Sequence, residues 1–345
     1  MKKRLFGSTI LAGFMILALC FCAQAQDKTF NIKLSLHIPP TIEMGSYAAS
    51  LYFKTQVEQL SAGRLKVQIF PSNQLGSERE SLEGLKLGTH QMDFTSSGAV
   101  PSFFPEVQCL AIPYLFPDKA VAWKVFDGPF GKELAEAMAK KTGMRILGIG
   151  ENGIRHFVLK NKQVKSPADL KGLKIRTMEN PAHIRMMKAL GANPTPIAWG
   201  ELYTAVQQGV VDGFELPLSL VESIKFYEVA KHVTLDGHLY DPLFLSVNEK
   251  FFQGLPADLK SVLVNASAEM ITVERGIMSF YNDYQSLENI KKKGMTVYAP
   301  TAAEKEMFKS ATQKPVIEYI ESQIGKDWVE KLNKALREAE AELKK

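Results

Sequence analysis

The sequence predicts an α/β protein built as two lobes. Three observations predict it: strand and helix patterns alternate through the first two-thirds of the chain, the rhythm starts afresh after residue 150, and no proline interrupts a long apolar-faced run from Pro256 to Lys293. Strand–helix–strand alternation implies parallel strands covered by helices. A run of that length makes a helix of about 55 Å, wider than one lobe, and so a spine lying across both.

Residues 1–25 have the pattern of a Sec-type signal peptide. Lys2, Lys3 and Arg4 precede an apolar run from Ile10 to Cys22, and Ala23-Gln24-Ala25 fits a cleavage site that leaves Gln26 as the new N-terminus. The run is shorter than the ~20 apolar residues of a membrane span. Cleavage would remove three cations and no acid, taking the formal charge from +5 to +2 (5 − 3 = 2). The basic balance therefore belongs partly to the leader. No basic stripe with interleaved aromatics argues for nucleic acid, and Lys291–Lys293 read as a helix end compensating its dipole. Beyond the leader only Cys109 remains. It cannot form an internal disulfide, so the core alone must hold an exported protein, and its apolar neighbours mark it as a buried structural thiol.

In the first half, Phe30, Ile32, Leu34 and Leu36 alternate as a strand, a helix runs from Gly45 to Ser61, and Leu65, Val67 and Ile69 form the next strand. Ser77-Glu-Arg-Glu80 is a capping box opening a helix that stops at Gly88. Met92–Thr95 is a strand. In the second half Arg155–Lys160 is a strand, Ser166-Pro167 a helix start with proline at the first position, and Leu173–Thr177 a strand. Pro181–Leu190 and Glu201–Gln208 are helices stopped by Gly191 and Gly209, and Val210–Phe214 is a strand. From Leu259 to Ile290 apolar residues follow one helical face, with a break near Gly276 as the alternative to a single spine. Two amphipathic helices complete the chain from Glu304.

Gly148-Ile-Gly150-Glu-Asn-Gly153 matches a dinucleotide fingerprint in spelling, but the fingerprint must open a helix. Here the following residues alternate as a strand, so the glycines read as a flexible crossing between lobes, the sort of segment a hinge uses. No Walker loop, zinc-protease motif or nucleophile elbow occurs, and the histidines lack metal-site spacing. No cofactor, no metal and no catalytic residues are expected. Arg176 closes the strand after Ser166-Pro-Ala-Asp-Leu-Lys-Gly-Leu-Lys-Ile. Open α/β sheets bind ligands beyond the carboxyl ends of their strands, where a guanidinium can offer a carboxylate two parallel donors. Arg155, Trp199, Glu215 and Leu216 converge on the same edge of the second lobe, and Ser97 and Gly98 follow the Met92–Thr95 strand.

The residues Phe70-Pro-Ser-Asn-Gln-Leu-Gly76, Met92-Asp-Phe-Thr95, Ile112-Pro-Tyr-Leu-Phe116, Leu170–Arg176, Trp199-Gly-Glu-Leu-Tyr-Thr-Ala-Val-Gln-Gln-Gly-Val-Val-Asp-Gly213 and Lys225-Phe-Tyr-Glu-Val229 together resemble the periplasmic solute-binding proteins of TRAP transporters, of the dicarboxylate-binding (DctP) type. The resemblance spans nearly all of the chain beyond the leader. It implies a two-lobed periplasmic-binding-protein fold with two hinge strands and a long bracing helix, and a bidentate bridge from Arg176 to the ligand carboxylate. It also implies an auxiliary role for Arg155 and an aromatic pocket wall from Trp199. The family's asparagine after the Val-Asp-Gly strand is Leu216 here, and Ser96-Ser97-Gly98 stand where sialate binders carry a glutamate.

The expected protein is thus a monomeric extracytoplasmic receptor, not an enzyme. It binds an organic acid anion, closes over it and delivers it to TRAP membrane permease subunits. A sensor module for a small carboxylate and a secreted α/β enzyme are the alternatives. Expected boundaries are 26–151 plus 241–280 for lobe I and 152–240 plus 281–345 for lobe II, with hinges at 150–153 and 236–241. Leu216 in place of an amide, Gly98 in place of a carboxylate and the broad apolar face of Trp199 rank small dicarboxylates and aromatic or branched monocarboxylates above uronates, and uronates above sialate.

Overall fold

The computed structural model describes residues 28–344; the targeting segment read from the sequence lies outside them. In chain order the first elements are β1 (Phe30–Leu36), α1 (Gly45–Leu60), β2 (Leu65–Phe70), α2 (Glu78–Leu87) and β3 (Met92–Ser96). Two 3-10 segments, Ser97–Ser102 and Pro105–Ala111, lead to α3 (Lys119–Asp127) and α4 (Pro129–Thr142). The middle of the chain holds β4 (Met144–Leu159), β5 (Lys174–Thr177), α5 (Pro181–Ala189), β6 (Asn193–Pro196), α6 (Leu202–Gln207), β7 (Gly213–Leu216), α7 (Leu218–Ser223) and β8 (His232–Asn248). Then come α8 (Glu249–Gln253), α9 (Ala257–Phe280), α10 (Ser286–Lys292), β9 (Thr296–Tyr298), α11 (Ala302–Ile324) and α12 (Asp327–Leu343).

Local chemistry sets these bounds. The capping box at Ser77 forms, with Glu80 accepting from the Ser77 amide and Gly88 taking the left-handed stop. The strand read from Val210 in the sequence, β7, begins at Gly213, three residues later than the alternation suggests. Lys174 explains the shift: its carbonyl accepts from the Asp212 amide and its own amide donates to the Asp212 side chain, so the chain turns before it pairs.

Two long strands organise the lobes. β1 pairs in parallel with β2 and β3, and β3 runs antiparallel to the end of β8 (Met92 opposite Val247). At the other end β4 pairs with β7 (His156 opposite Leu216), which continues in parallel to β5 and β6, and β9 joins the start of β8. β4 and β8 pair with each other from Met144–Asn248 to Leu159–His232, with irregularities at 146/148, 151/153 and 155/157. The expected crossing at 148–153 is therefore no break between strands. Both hinge candidates lie inside one continuous antiparallel pair, and Gly153 at φ +127° sits at the irregularity between 151 and 153.

The bracing helix is continuous and does not break at Gly276. A π-helical turn, Tyr281–Gln285, joins α9 to α10. α9 seals the first lobe, with Leu259, Leu263, Ala266 and Met270 packed against Phe53, Val57, Leu34 and Leu245. Truncating one of these leucines or Met270 to alanine costs about 2–5 kcal/mol. α10 reaches the second lobe, where Ile290 joins Val221, Phe226 and Val233. In the π turn Asn282 accepts from the Ser219 amide (3.0 Å) and donates to the Asn152 carbonyl (3.1 Å). A Cβ at Gly153 would strike that amide at 2.4 Å, so glycine is required where spine and strand meet. The tail touches both lobes: α11 packs on α5, whereas α12 packs on α3 and α4. Residues 281–345, assigned to lobe II from the sequence, thus divide between the lobes. Cys109 is fully buried and burial pushes its thiol pKa up.

Candidate functional site

A cleft of about 490 Å3, counting its open mouth, lies where β1, β3, β5 and β7 end around the β4–β8 pair. Its walls include His37, Glu78, Thr95 and Ser96 from the first lobe, Asn152 and Arg155 from β4, and Arg176, Met178, Trp199 and Leu216 from the second lobe.

Arg176 is 2% exposed. β5 holds it in the sheet, and its Nε donates to the Ile197 carbonyl at 2.9 Å. Among the described residues no carboxylate lies within ion-pair distance of its guanidinium. Burial and then the neighbouring Arg155 lower its pKa from 12.5 to about 10. Glu215, Glu78 and Asp241 favour the charge from farther off, but none of them is in direct contact with it.

Arg155 lies in the same cleft and is 1% exposed, but its charge is matched. Its Nε donates to Glu215 Oε2, one terminal nitrogen to Asp241 Oδ2 (2.5 Å) and the other to the Glu215 carbonyl (2.6 Å). Burial opposes its charge, yet Glu215 and Asp241 raise its pKa. Burial alone would raise the Glu215 carboxyl, but Arg155 holds it well below its usual range, helped by His183 and His238. Asp241 also accepts from Ser96 Oγ (2.7 Å) and Asn152 Nδ2 (2.8 Å), tying both lobes to the hinge pair.

The structure corrects several sequence assignments. Glu215 is fully buried and anchors Arg155; it is absent from the cleft wall. Arg155 lines the cleft, but as one member of a closed ion-pair cluster and not as a second free cation. Ser97 and Gly98 lie just behind the wall, and Thr95 and Ser96 stand in their place. Gly98 acts indirectly: a Cβ there would meet Met178 Cε at 2.3 Å, so glycine lets Met178 of the second lobe close against the first. Leu216 and Trp199 line the cleft.

Sequence reasoning missed His37, Glu78, Asn152 and Met178. The rule that ligands sit beyond strand ends would have found His37 after β1 and Met178 after β5. Glu78 is half-buried in the first turn of α2 and accepts from Thr95 Oγ1 (3.1 Å). Burial raises its pKa, partly offset by His37 and Arg176. For His37, burial alone would lower the pKa, but Asp93 at 3.5 Å dominates the sum and raises it to about 9.

Residues 38–323 match the bacterial extracellular solute-binding protein family 7. The chain belongs to that family. It is 43% identical over 283 residues to a solute-binding protein of Verminephrobacter eiseniae (strain EF01-2), covering 82% of this chain and 83% of that one. Its fold superposes with TM-score 0.86 at 31% identity on the sugar acid binding protein DctPAm from Advenella mimigardefordensis strain DPN7T in complex with galactonate, over 90% of this chain and 99% of the other. A TRAP periplasmic solute binding protein from Sulfurospirillum deleyianum DSM 6946 with bound succinate gives 0.82 at 30% identity, over 89% and 99%. The family 7 chain is therefore an extracytoplasmic solute receptor of two-lobed α/β architecture. The relative from Verminephrobacter eiseniae is a solute-binding protein, and the two solved structures hold the carboxylates galactonate and succinate.

Proposed function

We propose that this receptor clamps the carboxylate of a hydroxylated organic acid on Arg176, closes about the β4–β8 pair and hands the acid to a TRAP permease. The observation that carries the reading is the unmatched Arg176 guanidinium in the cleft wall. A ligand carboxylate would supply the missing counterion through two parallel hydrogen bonds. Closure removes water and strengthens that pair. Gly150–Gly153 of β4 and Asp236–Asp241 of β8, which meet where Gly153 pairs with Asp241, are the hinge.

The ligand ranking changes once Glu78 is counted. With Arg155 neutralised, the cleft offers one free arginine, and Glu78 presents a carboxylate to the same space. An acceptor there favours ligand hydroxyls and repels a second ligand carboxylate. Thr95, Ser96 and Asn152 add further polar partners. These groups replace the amide lost at Leu216 and place a sugar acid of galactonate's type above succinate.

Calorimetry on ligand-stripped protein with galactonate, succinate, an aromatic monocarboxylate and sialate tests the reading. Galactonate should bind tightest and succinate at least about tenfold more weakly, the size of one charge-assisted hydrogen bond. Binding of none of the four would refute the carboxylate clamp. Succinate ahead of galactonate would refute the role of Glu78.

A further inference from the structure

A second chamber of about 480 Å3, counting its mouth, adjoins the cleft. It is lined by Asn73, Tyr203, Ile224 and Phe226 among others, and it shares His37 and Trp199 with the cleft. Those two shared residues are bonded to each other, the indole Nε1 of Trp199 donating to the His37 carbonyl at 3.0 Å. The indole and its hydrogen bond thus stand in the wall between the two spaces.

The wall is pinned from both sides. On the first lobe, Ser72 and Asn73 hold left-handed conformations (φ 54° and 60°), costly for residues other than glycine. Asn73 Oδ1 lies 2.8 Å from His37 Nδ1, and the amides of Ser72 and Asn73 donate to the carbonyls of Ile38 and Leu36. On the second lobe, a Cβ at Gly200 would come within 2.9 Å of Asn73 Nδ2, so glycine allows the Trp199 segment to approach this turn. Phe226 backs the indole at 6.3 Å between ring centroids.

We propose that Trp199 is a partition that fixes the size of acid the receptor accepts, and that the chamber behind it is a latent subsite for a ring carried as a branch on a larger acid. Tyr203 offers an aromatic face to such a ring, with the buried Phe226 packed behind it, and Asn73 offers an amide to its polar substituents. Excluding larger acids by a wall, and not by loss of attraction, is specificity by obstruction. The inference rests on the cleft being the ligand site.

The test compares short and ring-extended acids on wild type, Trp199→Ala and Trp199→Phe by calorimetry. One pair is gluconate and lactobionate, the same aldonate carrying a galactosyl ring. The other is succinate and benzylsuccinate, which keeps the partition measurable if the hydroxy-acid reading fails. Whichever short acid wild type binds, its extended partner should bind at least about tenfold more weakly, the scale of a steric mismatch in a pocket. Trp199→Ala should shrink that ratio about tenfold or more, while Trp199→Phe, which keeps a ring in the wall, should largely preserve it. Trp199→Leu serves in place of the alanine variant should that one not fold. A ratio near one in wild type, or a ratio unchanged in a folded variant lacking the ring, overturns the proposal.

Discussion

Arg155 and Arg176 stand in one cleft, both almost wholly buried, and their surroundings differ completely. Arg155 is enclosed by Glu215 and Asp241, which come from β7 and β8 and join it to the hinge pair. Arg176 has one carbonyl on Nε and no carboxylate within ion-pair distance among the described residues. A protein tolerates a buried charge when it is paired, and leaves one unpaired only where something from outside completes it. The first arrangement holds a fold together; the second waits for a ligand. Both arginines sit on sheet strands, so burial and strand position cannot tell the two roles apart, and partners can.

The largest effect should come from breaking the paired side. Arg155→Met leaves Glu215 and Asp241 buried without their cation and should destabilise the protein by about 3–5 kcal/mol, measured by denaturant unfolding. Arg176→Met should do the opposite, leaving the unliganded stability unchanged or higher, since it removes an unmatched buried charge. Equal destabilisation by both would erase the distinction.

Next in size is the effect on binding. Arg176→Lys keeps the charge but loses the planar fork, and should weaken ligand binding by about 2–5 kcal/mol, as for truncation of one partner of a buried charge pair. It should also abolish the ligand's thermal shift. Calorimetric affinity within threefold of wild type would show that Arg176 is not the clamp.

Glu78→Gln sharpens the contrast from the other end of the cleft. Removing the carboxylate should cost galactonate about 1–3 kcal/mol and improve succinate, so their order narrows or reverses. Parallel changes in both acids would mean that Glu78 only supports α2.

The smallest and most graded effect is on pH. Burial opposes the His37 charge, but Asp93, helped by Glu78, raises its pKa from the ordinary 6.5 to about 9, and Asp93 is lowered to about 2. A raised folded pKa contributes stability that is complete below about 6.5 and lost as pH climbs through about 9. The lowered Asp93 contributes above its ordinary range near 4 and loses it as pH falls through about 2. Wild type should therefore lose stability between pH 6.5 and 9 more steeply than His37→Gln. Identical slopes in paired melting curves would remove His37–Asp93 from the account.

What the sequence determined by itself were features set by near neighbours along the chain: the capping box at Ser77, the strand ending in Arg176, the proline-free helical run from Leu259 to Ile290, and the family motifs. Each depends on residues a few positions apart, so the pattern is complete in the text of the chain. Tertiary structure decided which arginine is free, because Arg155 meets Glu215 across 60 positions and Asp241 across 86. It also decided that Glu215 turns into the core while Glu78, eighty residues or more from the second-lobe wall, turns into the cleft. No local pattern encodes those meetings. They follow from strand order and register, which bring β4, β7 and β8 together and fix which side chains share one dry space.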